Sequence, residues 1–189
     1  MREISQDILE RASQGETEAF EELYKAAASL VYNVALRITR NSADAEEVAQ
    51  DVFMKIYHSL KDFQFRSSFK TWVYRITVNT AINRYRQSAR EKSLRVGYDD
   101  ALGSFPVAGS TAQGAIQSDN EAALNGLLGM LSLEHRTCLV LREIQGLSYG
   151  EIAAALKIPI NTVRSRLKRA RQALLERAKH GEVDKDALR

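Results

Sequence analysis

The 189-residue chain has little of the residues that break helices, cross-link chains or hold metals. It contains only two prolines, so long helices are permitted, and one cysteine, Cys138, so an internal disulfide is excluded. The thiol lies in the apolar run 137–141, which predicts burial rather than reactivity. The three histidines are isolated from each other and from any cluster of cysteines and acids. We therefore expect no metal site and no cofactor.

Long apolar runs are also missing. No stretch approaches the roughly 18–20 apolar residues of a membrane span, and residues 1–7 lack the apolar core of a signal peptide. We expect a soluble, cytoplasmic protein. Paired carboxylates, a nucleophile with its base and a phosphate-binding loop are absent from the sequence as well. The pattern therefore predicts no enzymatic activity and no small-molecule substrate.

Charge is abundant but unevenly distributed. Hydrophobic residues make up 44% and charged residues 27% of the chain, which is typical of a soluble globular protein. The net charge of +3 says little about partners, whereas the order of the charges says more. Acids cluster early, at Asp44, Glu46, Glu47 and Asp51, and bases cluster late, at Arg164, Arg166, Lys168, Arg169 and Arg171. This asymmetry predicts one protein-binding surface and one surface for a polyanion.

The hydrophobic periodicity predicts an all-α protein with two small helical domains. Within a first domain of residues 1–90, residues 17–90 contain consecutive amphipathic helices, one capped by Ser42 and the last ending near Gln87. Residues 91–118 lose the period and gain glycine, serine and acids, which predicts a flexible linker. Helical periodicity resumes over 119–189, the second domain.

The second domain carries a helix-turn-helix pattern. Ser148 and Glu151 have the spacing of a capping box, which opens a short helix over 149–156. A tight turn follows, and Asn161 is the predicted cap of a longer basic helix over 162–179. A capped short helix, a turn and a basic helix are typical of a DNA-binding unit rather than of an ordinary bundle with a solvated basic face.

The basic helix divides into an inner and an outer face. An apolar stripe predicts packing on the short helix, where Ile152, Ala153 and Leu156 supply the other half: Val163, Leu167, Ala170 and Leu174. The outer face, from which Arg164, Ser165, Lys168, Arg169 and Arg171 are predicted to project, is predicted to enter the major groove. Base contacts are predicted for the first four of these residues. Phosphate contacts, which position without specifying, are predicted for Tyr149, Thr162 and Arg166.

A second polar face lies on the last helix of the first domain. Trp72, Val73, Ile76 and Ala81 fit its core side. The opposite side interleaves six polar residues with aromatic ones: Arg75, Asn79, Thr80, Asn83, Arg84 and Arg86. Unpaired bases need hydrogen-bonding partners, stacking surfaces and cations for their phosphates. The pattern favours single-stranded nucleic acid slightly over a merely solvated face.

Two long motifs add a resemblance to a known family. Residues 44–53 (DAEEVAQDVF) and 69–76 (FKTWVYRI) resemble the core-binding and promoter-melting region of extracytoplasmic-function (ECF) sigma factors of the sigma-70 family. Residues 147–153 (LSYGEIA) followed by 162–166 (TVRSR) resemble the helix-turn-helix that reads their upstream promoter element. The resemblance implies a sigma-2-like helical bundle and a sigma-4-like domain joined by the linker.

The resemblance also implies roles for particular residues. Glu47, Gln50 and Asp51 match the helix that docks on the clamp coiled coil of core RNA polymerase. Asn79, Thr80 and Asn83, together with the loop 63–68, match the reader of the melted −10 element, and the helix from Thr162 matches the reader of the −35 element. The implied partners are core polymerase, through clamp and flap, promoter DNA, and an anti-sigma factor that is free or membrane-bound.

Two positions depart from the family pattern. Phe65 and Arg66 stand where the loop commonly has glycine and an acid, so the −10 base preference is an open point. Phe65 is a candidate stacking surface or a residue packed beneath the loop, whereas Phe63 is the predicted core anchor. Ser132 replaces a helix-starting proline. A helix-turn-helix repressor or activator that ignores polymerase remains the alternative, although it explains only the second domain.

Overall fold

The first helical unit is a bundle built from the N-terminal half of the chain. The structure is a computed structural model and describes residues 4–63, 67–102 and 118–179. Its helices in this half are α1 (Gln6–Ser13), α2 (Thr17–Thr39), α3 (Ser42–Ser59) and α4 (Phe69–Leu102), with a 3₁₀ turn at Leu60–Asp62 after α3. We refer to α1–α4 as the first unit.

The second helical unit follows after residue 117. It comprises α5 (Ser118–Gly129), α6 (Leu133–Leu139), a π-helical turn (Val140–Ile144), α7 (Tyr149–Leu156) and α8 (Ile160–Lys179). The described residues contain no β-strand, so the all-α prediction is confirmed. None of the helices in the described ranges is both long and apolar enough to cross a bilayer.

The N-terminal cap of α7 agrees with the sequence prediction, whereas that of α3 differs from it. Ser148 and Glu151 form the predicted capping box at the start of α7. The cap of α3, however, is Asn41, whose side chain accepts a hydrogen bond from the Asp44 amide at 2.9 Å, so the prediction of Ser42 is wrong by one residue. Both side chains suit an N-cap, and only the extended backbone at Asn41 distinguishes them.

The start of α8 also differs from the prediction. The helix begins at Ile160, before Asn161, because the Pro159 carbonyl already accepts from the amides of Thr162 and Val163. Asn161 therefore lies inside the helix, where its side chain accepts a hydrogen bond from Arg164 at 3.1 Å. Proline without a donor is well tolerated at a helix start, which explains the shift.

Helix α4 is longer than predicted. It continues past Gln87 to Leu102, through the first part of the segment 91–118 that the sequence predicts to be a linker. Residues 88–95 consist mainly of good helix formers, and the Gln87 side chain donates to the Glu91 carboxylate one turn later at 2.9 Å. Loss of amphipathic period was therefore not loss of helix. Residues 103–117 lie outside the described residues, and the three-part division stays a prediction.

The two units pack against each other as well as within themselves. In the first unit α2, α3 and α4 form the bundle, and in the second the predicted stripe Val163, Leu167 and Ala170 is fully buried against α6 and α7. Helix α7 lies along α4. The buried residues of both units consequently belong to one continuous hydrophobic core.

Candidate functional site

The three residues predicted to meet polymerase share one exposed side of α3. Glu47, Gln50 and Asp51 are all exposed, while Val48 and Val52 on the other side of the helix are buried in the core. We call these three residues the clamp face. Helical spacing places them on one turn and a half of the helix, as the sequence predicts. The structure therefore brings the predicted set together on a surface that a partner can reach.

An ion-pair network lies directly behind the clamp face. Arg84 of α4 donates through Nε to Asp44 at 2.7 Å and reaches Glu47 through Nη1 at 2.8 Å. Ser88, one turn further along α4, donates to the Asp44 carboxylate as well. The bond to Asp44 raises the pKa of Arg84. Asp44 is only 8% exposed, so it is a buried anchor rather than the simple helix-dipole carboxylate that the sequence indicates.

An aromatic groove flanks the clamp face on its other side. Tyr24, Met54 and Tyr57 are 48%, 58% and 53% exposed, which is unusual for large apolar side chains. They border a groove of about 940 Å³ between α2 and α3, and Gln50 contributes to its lining. The sequence predictions do not include this groove. Its available signal was the aromatic pairing Phe20–Tyr24 and Phe53–Tyr57 at helical spacing of four.

The residues predicted to read the melted −10 element are divided by the structure. Asn79 and Asn83 are exposed on α4, and Arg75 is half-buried on the same helix. Thr80 is 6% exposed and its hydroxyl accepts a hydrogen bond from Lys55 of α3 at 2.9 Å. We call Arg75, Asn79 and Asn83 the reading face. Thr80 faces α3 and supports this face from behind.

The loop before α4 begins with an aromatic cluster. The Phe63 ring lies 5.0 Å from the Trp72 ring and 6.0 Å from the Phe69 ring, so its predicted role as a core anchor is confirmed. Ser68 then caps the first turn of α4 through the Thr71 amide. The candidate contacts Phe65 and Arg66 lie outside the described residues.

The outer side of α8 presents the predicted recognition residues. Arg164, Ser165, Lys168 and Arg169 are exposed, and we call them the recognition face. Thr162 and Arg166 are half-buried at the edge of this face. Within the described part of the chain, Lys168 and Arg169 form no ion pair. Their charges are therefore available to phosphates.

The predicted phosphate contact Tyr149 has a structural environment of its own. The Arg142 guanidinium lies over its ring at 5.3 Å from the ring centre, and Arg171 pairs with Glu143 at 2.5 Å beside it. The hydrogen bond to Glu143 raises the pKa of Arg171. These contacts fix the π-helical turn to α7 and α8, so they orient the recognition face. The sequence predicts Arg171 on the outer side of α8, but its ion pair with Glu143 excludes it from the recognition face.

A groove between the two units brings parts of both predicted DNA surfaces together. Asn79, Asn83 and Arg86 of α4 form one wall, and Thr137 and Arg166 contribute to the other. Its volume is about 270 Å³. Burial raises the pKa of the neighbouring Cys138 thiol, as expected for an unreactive cysteine. The residues that the structure describes contain no cluster of metal-ligating side chains.

Comparison with known protein families matches each unit separately. Residues 23–91 match the family model of sigma-70 region 2, and residues 121–174 match that of sigma-70 region 4. The chain is 34% identical over 179 residues to the RNA polymerase sigma-H factor of Pseudomonas aeruginosa, covering 92% of this chain and 93% of the relative. It is also 34% identical over 176 residues to the ECF RNA polymerase sigma-E factor of Haemophilus influenzae, covering 89% and 92%.

Solved structures agree with these matches. The sigma factor RpoE of Bartonella quintana, crystallised with the anti-sigma factor NepR, superposes with a TM-score of 0.68 at 26% identity, covering 86% of this chain and 98% of that one. CnrH, in complex with the cytosolic domain of CnrY, shares the fold with a TM-score of 0.67 at 24% identity, covering 94% and 99%. The chain therefore belongs to the ECF sigma factors of the sigma-70 family, the subunits that direct RNA polymerase to promoters.

Proposed function

We propose that the two units divide promoter recognition between them. The first unit, residues 1–90, binds the clamp coiled coil of core polymerase through the clamp face and reads the melted −10 element through the reading face. The second unit, residues 119–189, reads the −35 duplex through the recognition face, and residues 91–118 connect them. The observation that carries this proposal is that clamp face and reading face occupy different helices, α3 and α4, so both can be occupied at once.

The recognition face has the chemistry that duplex DNA requires. Arg164 and Ser165 lie near the N-terminal end of α8 and are exposed, where a recognition helix contacts base edges. Lys168 and Arg169 follow one turn later with no acid beside them in the described structure. Arginine and lysine can donate to guanine acceptors or neutralise phosphates. We assign base contacts to the first pair and mixed contacts to the second.

A helix-turn-helix regulator that ignores polymerase is the weaker candidate. It accounts for α7 and α8 but leaves the clamp face, the aromatic groove and the match to sigma-70 region 2 without a role. We also propose that the chain acts in the cytoplasm, without catalysis of its own. Because the Bartonella relative is bound to an anti-sigma factor, we propose that a factor of this kind, free or membrane-bound, controls this chain too.

Charge reversal on the clamp face tests the proposal. The double variant Glu47→Lys and Asp51→Lys should lower the affinity for core polymerase, at a cost of about 2–5 kcal/mol if the carboxylates are desolvated in the complex. Thermal unfolding should change little, because the side chain of Glu47 is 56% exposed and an exposed ion pair contributes only about 0–1 kcal/mol. Binding is measured by titrating labelled chain with core polymerase.

The matched control is Glu10→Lys with Glu22→Lys, two exposed acids on α1 and α2 that carry the same change of charge. This control should bind core polymerase as the parent does. Equal binding by both double variants would contradict the clamp face. A parent chain that binds promoter duplex tightly and ignores core polymerase would instead support the regulator.

A further inference from the structure

One ion pair of the first unit lies between its two proposed binding surfaces. Glu47 belongs to the clamp face on α3, and Arg84 directly follows Asn83 of the reading face on α4. Both Nη atoms of Arg84 bond the Glu47 carboxylate, Nη1 to Oε2 at 2.8 Å and Nη2 to Oε1 at 3.1 Å. In the free chain, the Glu47 carboxylate is therefore already bound on both of its oxygens.

A small pocket joins the two surfaces at this ion pair. Its volume is about 130 Å³, and its lining includes Glu47 and Asp51 of the clamp face, Asn83 of the reading face, and Arg84. A single strand that lies on Asn83 therefore brings its backbone close to Arg84. It also brings its phosphates close to the two carboxylates, which repel them in the free chain.

Arg84 has a second bond that does not involve the clamp face. Its Nε atom donates to Asp44 at 2.7 Å, and Asp44 is only 8% exposed, so this bond holds the side chain within the bundle. The Glu47 side chain is 56% exposed, and an exposed ion pair contributes only about 0–1 kcal/mol. The bond to Asp44 is therefore the lasting one, whereas the bonds to Glu47 are easily exchanged.

We propose that Arg84 exchanges Glu47 for a backbone phosphate of the −10 strand when core polymerase binds. The clamp face is acidic, so the surface complementary to it is cationic. A clamp cation that pairs with Glu47 neutralises the charge that held the Nη atoms of Arg84 and repels the guanidinium. These donors then bind a phosphate, while Asp44 keeps the side chain in position.

The exchange makes the two binding events cooperative. Core binding strengthens strand binding, and strand binding strengthens core binding by the same factor, because the two equilibria are linked. Arg84 is then a DNA contact, and Asp44 is the residue that positions it. The inference rests on the proposed function for what occupies each surface, whereas the competition for Arg84 can be measured in the free chain.

Glu47→Gln tests the exchange in the full-length free chain. Glutamine keeps the size of glutamate but has no charge with which to hold Arg84. The variant should therefore bind a short fluorescent single strand of random sequence about five- to tenfold more tightly than the parent does. The gain should vanish when Arg84→Gln is added, because the released donors are then missing. Fluorescence anisotropy measures the affinity.

Asp51→Asn is the matched control. It removes an exposed carboxylate from the same pocket, and Asp51 forms no ion pair among the residues that the structure describes. It acts only through the electrostatic potential of the pocket. Its gain in strand affinity should therefore be clearly smaller than that of Glu47→Gln and should be the same with or without Arg84→Gln.

Arg84→Gln tests the exchange in the holoenzyme. It should weaken strand binding by about five- to tenfold in the holoenzyme but little in the free chain, where Glu47 holds Arg84. The slope of log affinity against log salt concentration should fall by about 0.7 in the holoenzyme, the value for one phosphate of a single strand. Core polymerase contributes equally to parent and variant, so its own strand binding cancels in the comparison. Arg84→Lys keeps the charge and should restore part of the affinity.

Two results would overturn the exchange. One is an equal gain from Glu47→Gln and Asp51→Asn, and the other is the same effect of Arg84→Gln in the free chain and in the holoenzyme. If Arg84→Gln fails to fold, the comparison of Glu47→Gln with Asp51→Asn decides alone. Failure of the proposed function is recognised separately, because the parent would then not bind core polymerase, while strand binding by the free chain could still be measured.

Discussion

The two units handle their surface charge in opposite ways. In the first unit Arg84 forms ion pairs with Asp44 and Glu47, so these charges on α3 and α4 are compensated within the bundle, and Lys55 donates a hydrogen bond to the neutral Thr80 hydroxyl. In the second unit Lys168 and Arg169 are exposed and unpaired within the described structure. The ion pairs of the first unit fix α3 and α4 relative to each other. The unpaired cations of the second unit give the surface of α8 a positive electrostatic potential.

The difference indicates what each unit must do. A helix pair that binds a protein on one side and unpaired bases on the other needs fixed geometry, and cross-helix ion pairs provide it. A helix that binds the phosphate backbone associates faster when its cations are unpaired. These cations attract DNA over a distance that is set by the ionic strength. Paired charges thus fix the geometry of the first unit, whereas unpaired charges of the second unit attract DNA.

Removing Asp44, the central carboxylate of the ion-pair network between α3 and α4, should give the largest loss of stability. Asp44→Ala leaves Arg84, whose side chain is 25% exposed, without its main partner and takes both acceptor oxygens from Ser88. Breaking a buried pair from one side costs about 3–5 kcal/mol, and the partial exposure of Arg84 reduces this to about 2–4 kcal/mol. The loss is measured by denaturant unfolding of the full chain.

Glu47→Gln is the comparison for Asp44→Ala. The side chain of Glu47 is 56% exposed, so its pairing with Arg84 should contribute less than about 1 kcal/mol to stability. If the two variants lost similar unfolding free energy, the burial of Asp44 would not make its ion pair stronger than that of Glu47. The network would then be a surface feature, and the contrast between the two units would disappear.

The second unit should respond in binding rather than in stability. Arg164→Ala should cost roughly 1–3 kcal/mol and relax preference at one −35 position, as expected for a base contact. Lys168→Ala, which removes a mixed contact, should weaken binding to every promoter and reduce the slope of log affinity against log salt concentration by about one, with a smaller change in base preference than Arg164→Ala. Affinities of holoenzyme for a promoter library, taken at several salt concentrations, measure both effects. Uniform losses in both variants would mean that Arg164 contacts phosphate.

Arg166 provides a further test because it is less exposed than the residues of the recognition face. The sequence predicts a phosphate contact, yet the side chain is half-buried and lines the groove between the units. If the groove opens on polymerase, Arg166→Ala should weaken promoter binding uniformly in holoenzyme. In the free chain it should have little effect on duplex binding.

Whether the sequence predicts an interaction depends on how far apart in the chain the two interacting residues are. Periodicity and capping act over three to four residues, so the bundle, the helix-turn-helix and the faces of α8 could all be predicted. The Asp44–Arg84 bond joins residues 40 apart, and the Tyr74–Gln145 bond joins residues 71 apart. No local pattern encodes such pairs. The same reason explains why Thr80, polar and correctly spaced, was placed on the reading face although its hydroxyl meets Lys55.

The capping box of α7 should give the smallest and most local effect. Ser148 accepts from the Glu151 amide at 3.2 Å, and the Ser148 amide donates to the Glu151 carboxylate at 2.8 Å. Ser148→Ala should cost about 1 kcal/mol of unfolding free energy. Recognition of the −35 element should weaken only to the extent that α7 frays. The cap Ser132, which accepts from the His135 amide at 3.4 Å without an acid in return, is the matched control.

The pH dependence separates the two caps. Hydrogen bonds from Ser148 lower the pKa of Glu151, so the folded state favours the charged carboxylate. Its contribution is complete above the unfolded-state pKa, which is about 4.3 for glutamate, and is lost as pH falls through the lower folded-state value. The destabilisation caused by Ser148→Ala should therefore shrink in acid, whereas that of Ser132→Ala should show no such acid-dependent loss. Glu151→Gln keeps an acceptor for the Ser148 amide and should remove this pH dependence at little cost near neutrality. An equal acid response in the Ser148 and Ser132 variants would show that Glu151 does not contribute to the cap.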